Sequence, residues 1–274
     1  MEKHNFSLGC RKDPVDLRDI PMASVLPPVP LPRQFDYTQD MSPVRDQGNE
    51  GTCVSFATVV GVKEYEDGRE YKKLITLSPR FLYSLCKKFD GAPDEEGTYP
   101  RVAMKILLKY GVCPESYWPY YPHQNDSAKK GSSVIAKRFR ITAYARLRGI
   151  LEMKRSLLVN GPFLAGVKVF DSWFTKKALK TGIIALPKKT DKLQGGHAIC
   201  IVGFNDKNSF LKFKNSWSDK WADKGYGYLP YEYMQRYCSD AWSSTDLIES
   251  PRALVKNFER VLARFHLPDS TITI

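Results

Sequence analysis

The sequence predicts an α+β protein in two parts, a mainly helical first half and a mainly β second half. Three observations predict it. A chain of 274 residues exceeds what one compact core usually holds. Helix-period patterns run from Val54 to Tyr110, and strand-like runs separated by turns fill Phe163 to Tyr231. The charge divides along the same line. Residues 36–135 hold thirteen Lys/Arg against fourteen Asp/Glu, whereas residues 136–245 hold twenty against eight. The excess in that second segment equals the whole net charge of +12.

Residues 1–30 read as an extended lead-in. Five prolines lie between Pro21 and Pro32, and proline fixes φ and removes a donor. SPVRDQGNEGT is then a polar, Gly-containing loop. Phe56, Val59 and Val60 line one face of a helix that Thr52 is placed to cap and Gly68 to close. Ser78 and Pro79 suit the start of a second helix running to about Lys88. A third spans about Tyr99–Tyr110 and stops at Gly111. Residues 137–148 alternate like a strand. A helix over about Leu147–Asn160 ends at Gly161-Pro162. FLAGVKV, GGHAICIVGF, SFLKFKNSW and GYGYLPY are strand-like. The resulting layout is an N-terminal extension (1–30), a domain over 31–245 with halves of about 31–135 and 136–245, and an extension over 246–274. Residues 251–265 of that last stretch suggest one amphipathic helix.

Composition excludes several classes. With 42% hydrophobic and 26% charged residues the chain is not disordered. No apolar run approaches the roughly 20 residues of a membrane span, so no membrane partner is expected. The first residues lack the apolar stretch of a signal peptide. A cytoplasmic site, or export without a signal peptide, is expected. The net charge of +12 fits nucleic acid, an anionic surface or an acidic partner. No basic motif interleaved with aromatics occurs, which weakens the nucleic-acid option. The six cysteines show no CxxC or CxxH spacing, so no metal site or cofactor is expected. Free thiols are expected, with pairing of Cys86 and Cys113 left open. A monomer is expected.

Two features carry chemistry. Cys53 opens a helix, where unpaired N–H groups and the dipole favour a thiolate. Alone, it fits a small buried thiol at least as well. His197 and Asn215 lie eighteen apart in sequence. A hairpin centred between Asp206 and Lys207 brings His197 beside Asn215 and Ser216. An Asn beside a His can accept its ring N–H and fix the tautomer. Alone, His197 also fits a structural histidine and Asn215 a strand-end cap.

DQGNEGTCVSFA, GGHAICIVGF and KNSW, in that order and spacing, resemble the cysteine, histidine and asparagine segments of papain-like cysteine peptidases. LPRQFDYTQDMSPVRDQG, GTYPRVAMKILLKYGV, YWPYYP and MKRSLLVNGPFLAGVKV resemble further parts of that family, so the likeness covers about residues 31–235. It implies a helical left domain and an antiparallel, barrel-like β right domain, with a cleft between them. It also implies a cysteine endopeptidase that acts on peptides or proteins through an acyl-enzyme. Cys53 would be the nucleophile, His197 the general acid/base and Asn215 its orienter. Gln47 would stabilise the oxyanion and Trp217 shield the His–Asn bond. Gly97 and Thr98 would bind substrate backbone. Tyr99, Pro100, Gly166 and Gly195 would line the pocket for the second residue before the cut, roomy and apolar because of Gly166.

The chain departs from the family pattern at Val54, Glu50 and Thr98, where Trp, a disulfide-forming Cys and a second Gly are usual. The short lead-in GCRKDPVDLRD resembles that of bacterial papain-like enzymes and suggests that residues 1–30 limit access to the cleft. Two alternatives accompany the peptidase expectation: a catalytically quiet binding protein plugged by its N-terminus, and an acyl transferase on the same site. The basic second half suggests an acidic peptide, an acidic partner or an anionic ligand.

Overall fold

The computed structural model describes residues 6–24, 26, 29–124 and 126–245. Cys53 starts a rod of α1 (Cys53–Phe56), a π-helical stretch (Ala57–Lys63) and α2 (Glu64–Tyr71). The rod passes Gly68 and ends at Lys72, which takes the left-handed conformation (φ 53°). Thr52 does not cap it with its side chain. Thr52 Oγ1 lies 2.8 Å from Tyr120 Oη instead. The wider winding of the π stretch frees the Val60 carbonyl, which accepts Lys214 Nζ at 2.9 Å and Ser42 Oγ at 3.0 Å. Two helices follow as expected. Before α3 (Pro79–Phe89), Ser78 Oγ accepts the Phe81 N–H at 3.1 Å. The helix α4 (Pro100–Lys109) stops ahead of Gly111.

The β half is one antiparallel sheet in the order β2-β7-β3-β4-β5-β6, with β1 on β4. The strands are β1 (Gln34–Asp36), β2 (Ala143–Arg146), β3 (Phe163–Phe170), β4 (Leu193–Asn205), β5 (Phe210–Lys214), β6 (Tyr226–Pro230) and β7 (Cys238–Thr245). Among the described residues it does not close into a barrel. Around it lie α5 (Ser132–Ala136), α6 (Gly149–Val159), α7 (Lys176–Thr181) and α8 (Tyr231–Tyr237). The rod packs on β4 so closely that a Cβ at Gly61 would lie 2.4 Å from Cys200 Cβ. Only glycine fits there, and the approach fixes where Cys53 meets the sheet.

One expectation needs correction. The strand over 137–148 is real only at Ala143–Arg146, where β7 supplies a partner; Lys137–Phe139 form a 3₁₀ turn instead. The lead-in is no loose tail, for Met22 and Val29 are buried in the core. β7 has no apolar alternation because both its faces are covered, with Asp240, Ala241, Trp242, Ser243 and Ser244 buried in succession. Its buried polar groups are satisfied in place: Ser243 Oγ lies 2.9 Å from Ser156 Oγ, and Ser244 Oγ donates to Glu66 at 2.7 Å. The expected helix at 251–265 lies outside the described residues.

Candidate active site

Cys53 stands in the first turn of α1, fully buried. β4 delivers His197 and the end of β5 delivers Asn215. The hairpin centres between Lys207 and Asn208, and a register shift between Ile201 and Gly203 then puts Cys200 opposite Lys214, one residue from the Phe213 that the expected turn centre gives. The side chains still meet: His197 Nε2 lies 2.8 Å from Asn215 Oδ1. An amide oxygen only accepts, so Nε2 carries the proton and Nδ1 is left free. Nδ1 is buried and has no hydrogen-bond partner. The Trp217 ring stacks on the imidazole at 4.6 Å, and Trp173 packs edge-on at 6.1 Å. These indoles keep water from the His–Asn bond. Gln47 is locked as well. Its Oε1 accepts Ser216 Oγ at 2.6 Å, which aims Nε2 at the carbonyls of Glu50 (3.0 Å) and Ser7 (3.1 Å).

The electrostatics differ from the thiolate expected at a helix start. Burial pushes Cys53 up to about 11, and the N–H groups of Ala198 and Gly9 directed at it offset only part of that. Burial likewise takes His197 down to about 4 despite the Asn215 bond. Both groups are neutral at pH 7 in this closed arrangement.

What closes it is the lead-in. Cys10 N–H donates to Gly196 O at 3.0 Å, Thr98 N–H to Gly9 O at 2.9 Å and Arg11 N–H to Thr98 O at 3.0 Å. Phe6 stacks on Trp217 at 4.5 Å, and Leu8 lies against Gly195. Cys10 Sγ fills the space over Gly166, with Pro100 and Asp240 beside it. Arg11 sits over the Tyr99 ring at 5.8 Å. One groove therefore gathers Gly97, Thr98, Tyr99, Pro100, Gly166, Gly195 and Trp217. The Asp240 Cβ lies 3.8 Å from the position a Cβ on Gly166 would take.

A family model described as papain family cysteine protease matches residues 31–243. The chain belongs to the papain family of cysteine proteases. It is 31% identical over 227 residues to the peptidase C1-like protein L477 of Acanthamoeba polyphaga mimivirus, covering 78% of this chain and 72% of that one. It is 27% identical to cysteine proteinase 1 of Dictyostelium discoideum, covering 83% and 70%. Its fold is similar to that of xylellain, a cysteine protease from Xylella fastidiosa, with a TM-score of 0.78, 29% identity and coverage of 88% and 96%.

Two features of this papain-family protease were not read from the sequence. One is Glu50, which faces Arg80 from a loop 30 residues away. Both are buried. Arg80 Nη1 donates to Glu50 Oε1 at 2.8 Å, and Arg80 Nη2 also bonds Oε2. Burial pushes the Glu50 carboxyl up, but Arg80 and the His123 N–H more than offset it, so it stays below its usual range. Breaking one half of such a pair strands a buried charge. Arg80→Met is expected to cost about 3–5 kcal/mol in urea unfolding, most of it regained when Glu50→Leu is added. A loss under about 1 kcal/mol would show the pair to be dispensable.

The other feature is the anchor of the lead-in. Asp13 accepts the Arg101 N–H at 3.0 Å and Trp242 Nε1–H at 2.8 Å, and its own N–H donates to Asp240 at 3.0 Å. Arg101 pairs with Asp19 at 2.7 Å. Arg146 pairs with Asp19 at 3.0 Å and Asp240 at 2.6 Å. The two guanidiniums pair with Asp19 and Asp240, which leaves Asp13 to a backbone amide and an indole. Burial and the charge of Asp240 push Asp13 from 3.8 up to about 6, and burial raises Asp240 too. Docking therefore takes up a proton. The gain is complete below about 3.8 and is lost as pH rises through about 6. Docking is expected to be about tenfold stronger at pH 5 than at pH 7.5. Hydrogen-exchange protection of the Arg11 and Thr98 amides, corrected for intrinsic rates, reads this. Asp13→Asn should flatten the difference, and equal protection in the wild type at both pH values would contradict it.

Proposed function

We propose that this protease is an endopeptidase using Cys53, His197, Asn215 and Gln47, and that residues 6–13 hold it shut. The observation that carries this is the Ser7 carbonyl on Gln47 Nε2 while the Gly9 N–H is directed at the Cys53 sulfur. The groove is already occupied by a peptide backbone. Once the lead-in leaves, water and field reach Cys53 and His197, and proton transfer from thiol to Nδ1 becomes favourable. The thiolate attacks a peptide carbonyl carbon. Gln47 Nε2–H and the Cys53 N–H hold the resulting oxyanion. His197 gives its proton to the leaving amine, and a thioester remains. Water then attacks the thioester and passes a proton to His197. The acid departs, and the proton returns to the sulfur. Asn215 keeps the imidazole in one tautomer and orientation throughout.

The lead-in survives in place because it lies backwards. The nitrogen of a bond to be cut must face His197 and Trp217. In the Ser7–Leu8 bond the carbonyl side, Phe6, lies on Trp217, whereas Leu8, on the nitrogen side, lies on Gly195. The proton donor is on the wrong side of that bond.

With the lead-in displaced, a thiol-directed epoxide is expected to label Cys53 stoichiometrically and to stop peptide hydrolysis. No labelling would favour a quiet binding protein. A product joined to an added amine instead of water would favour acyl transfer. Gln47→Ala is expected to lower kcat by about 10²–10³ with KM little changed, as for one lost oxyanion donor. An unchanged kcat would remove Gln47 from the mechanism.

A further inference from the structure

The excess charge of the β half has a definite place. Between β3 and β4 the chain leaves the sheet at Asp171 and returns at Lys192. Its ends are tied where the Asp171 N–H donates to Lys192 O at 3.2 Å and the Lys192 N–H to Asp171 Oδ2 at 2.8 Å. The excursion carries Lys176, Lys177 and Lys180 on α7, then Lys188, Lys189 and Lys192. All six are exposed, and among the described residues none makes an ion pair. Its only acids are engaged with amide groups. Asp171 also accepts Gln194 Nε2–H at 2.5 Å, and Asp191 accepts the Lys188 N–H at 3.0 Å. Six lysines therefore stand against two carboxylates, and the excursion keeps a positive excess.

This excursion adjoins one end of the groove. Phe174, two residues before Lys176, stacks on Trp217 at 6.2 Å and on Phe6 at 6.4 Å. Trp217 in turn stacks on His197. His197 protonates the leaving amine, so the departing half of a peptide lies along Trp217 and Phe174 and runs out beside the lysines. Charges within about 10 Å of one another interact at 0.1 M salt and are screened at higher salt.

We propose that this lysine rim selects peptides with acidic residues just after the bond that is cut. The proposal rests on the peptidase mechanism above and adds a substrate class to it. Two peptides identical up to the cut, with Asp-Asp or Asn-Asn at the second and third positions beyond it, test it. They are compared in the wild-type chain and in Gly9→Val, which cannot seat the lead-in. The expected kcat/KM ratio, Asp over Asn, is about tenfold at 0.02 M salt and within about twofold at 0.5 M. Charge reversal by K176E, K177E and K180E together should bring the ratio below one and leave the Asn peptide unchanged. Reversal by K188E and K189E should lower it in the same direction. A ratio near one at low salt, or one that survives both reversals, overturns the proposal. If neither peptide is cut, the peptidase mechanism fails. The rim is then judged by the affinity of Cys53→Ala combined with Gly9→Val for the two peptides. Fluorescence anisotropy should give the same salt-sensitive preference, and equal affinities overturn it.

Discussion

Cys53→Ala is expected to lower kcat for peptide hydrolysis by about 10⁵ or more, and His197→Ala by a similar factor. The two act as one unit, so the double variant should be little worse than either alone. The reason lies in what each atom does. Without the sulfur no thioester forms, and without the imidazole nothing moves a proton from thiol to leaving amine. The buried setting makes the dependence steeper. In the closed state Cys53 is pushed up to about 11 and His197 down to about 4, so both are neutral and the thiol must pass its proton to His197 before the sulfur attacks. The folded state should tolerate the change from Cys to Ala, which removes one small buried atom, and near-UV circular dichroism checks that. Residual turnover within tenfold of wild type would remove Cys53 from the chemistry.

Gly9→Val is expected to raise kcat/KM by about 100-fold. Activity scales with the fraction of molecules whose groove is open. A Cβ at Gly9 would lie 2.1 Å from Gly51 O, and a Cβ at Gly97 would lie 2.3 Å from Gly9 O. These are contacts between backbones, which have no flexible side chain to yield. Docking then costs more than the hydrogen bonds around Cys10 and Arg11 return. The variant leaves Cys53, His197, Asn215 and Gln47 untouched, so turnover reports access alone. Lost exchange protection at the Arg11 and Thr98 amides should accompany the rise. Unchanged turnover together with lost protection would mean that the lead-in covers the groove without limiting it.

The site was legible wherever short-range pattern decides position. His197 and Asn215 belong to one hairpin, so counting from its turn places them together even with the register shift at Ile201. Helices α3 and α4 carry their stop and start signals within a few residues. Where partners are remote, local pattern is silent. Asp13 meets Trp242 across 229 positions and Arg101 across 88. Glu50 was seen as a missing cysteine, not as half of an ion pair. The π stretch escaped because its winding answers to Lys214 and Ser42, which grip the Val60 carbonyl from outside the helix. β7 escaped because a strand covered on both sides need not alternate.

Glu50 stands where the family resemblance implies a disulfide-forming cysteine, yet it pairs with Arg80, and all six cysteines of this chain are free. That separates two demands that otherwise conflict. A thiol nucleophile works only while reduced, and a disulfide-stapled scaffold weakens under the reductants that keep it so. Here strong reducing conditions protect the reactive sulfur and remove no crosslink. Oxidants threaten Cys53 alone among the functions described, whereas acid is what tests the scaffold's ionic staple, since burial shields the pair from salt.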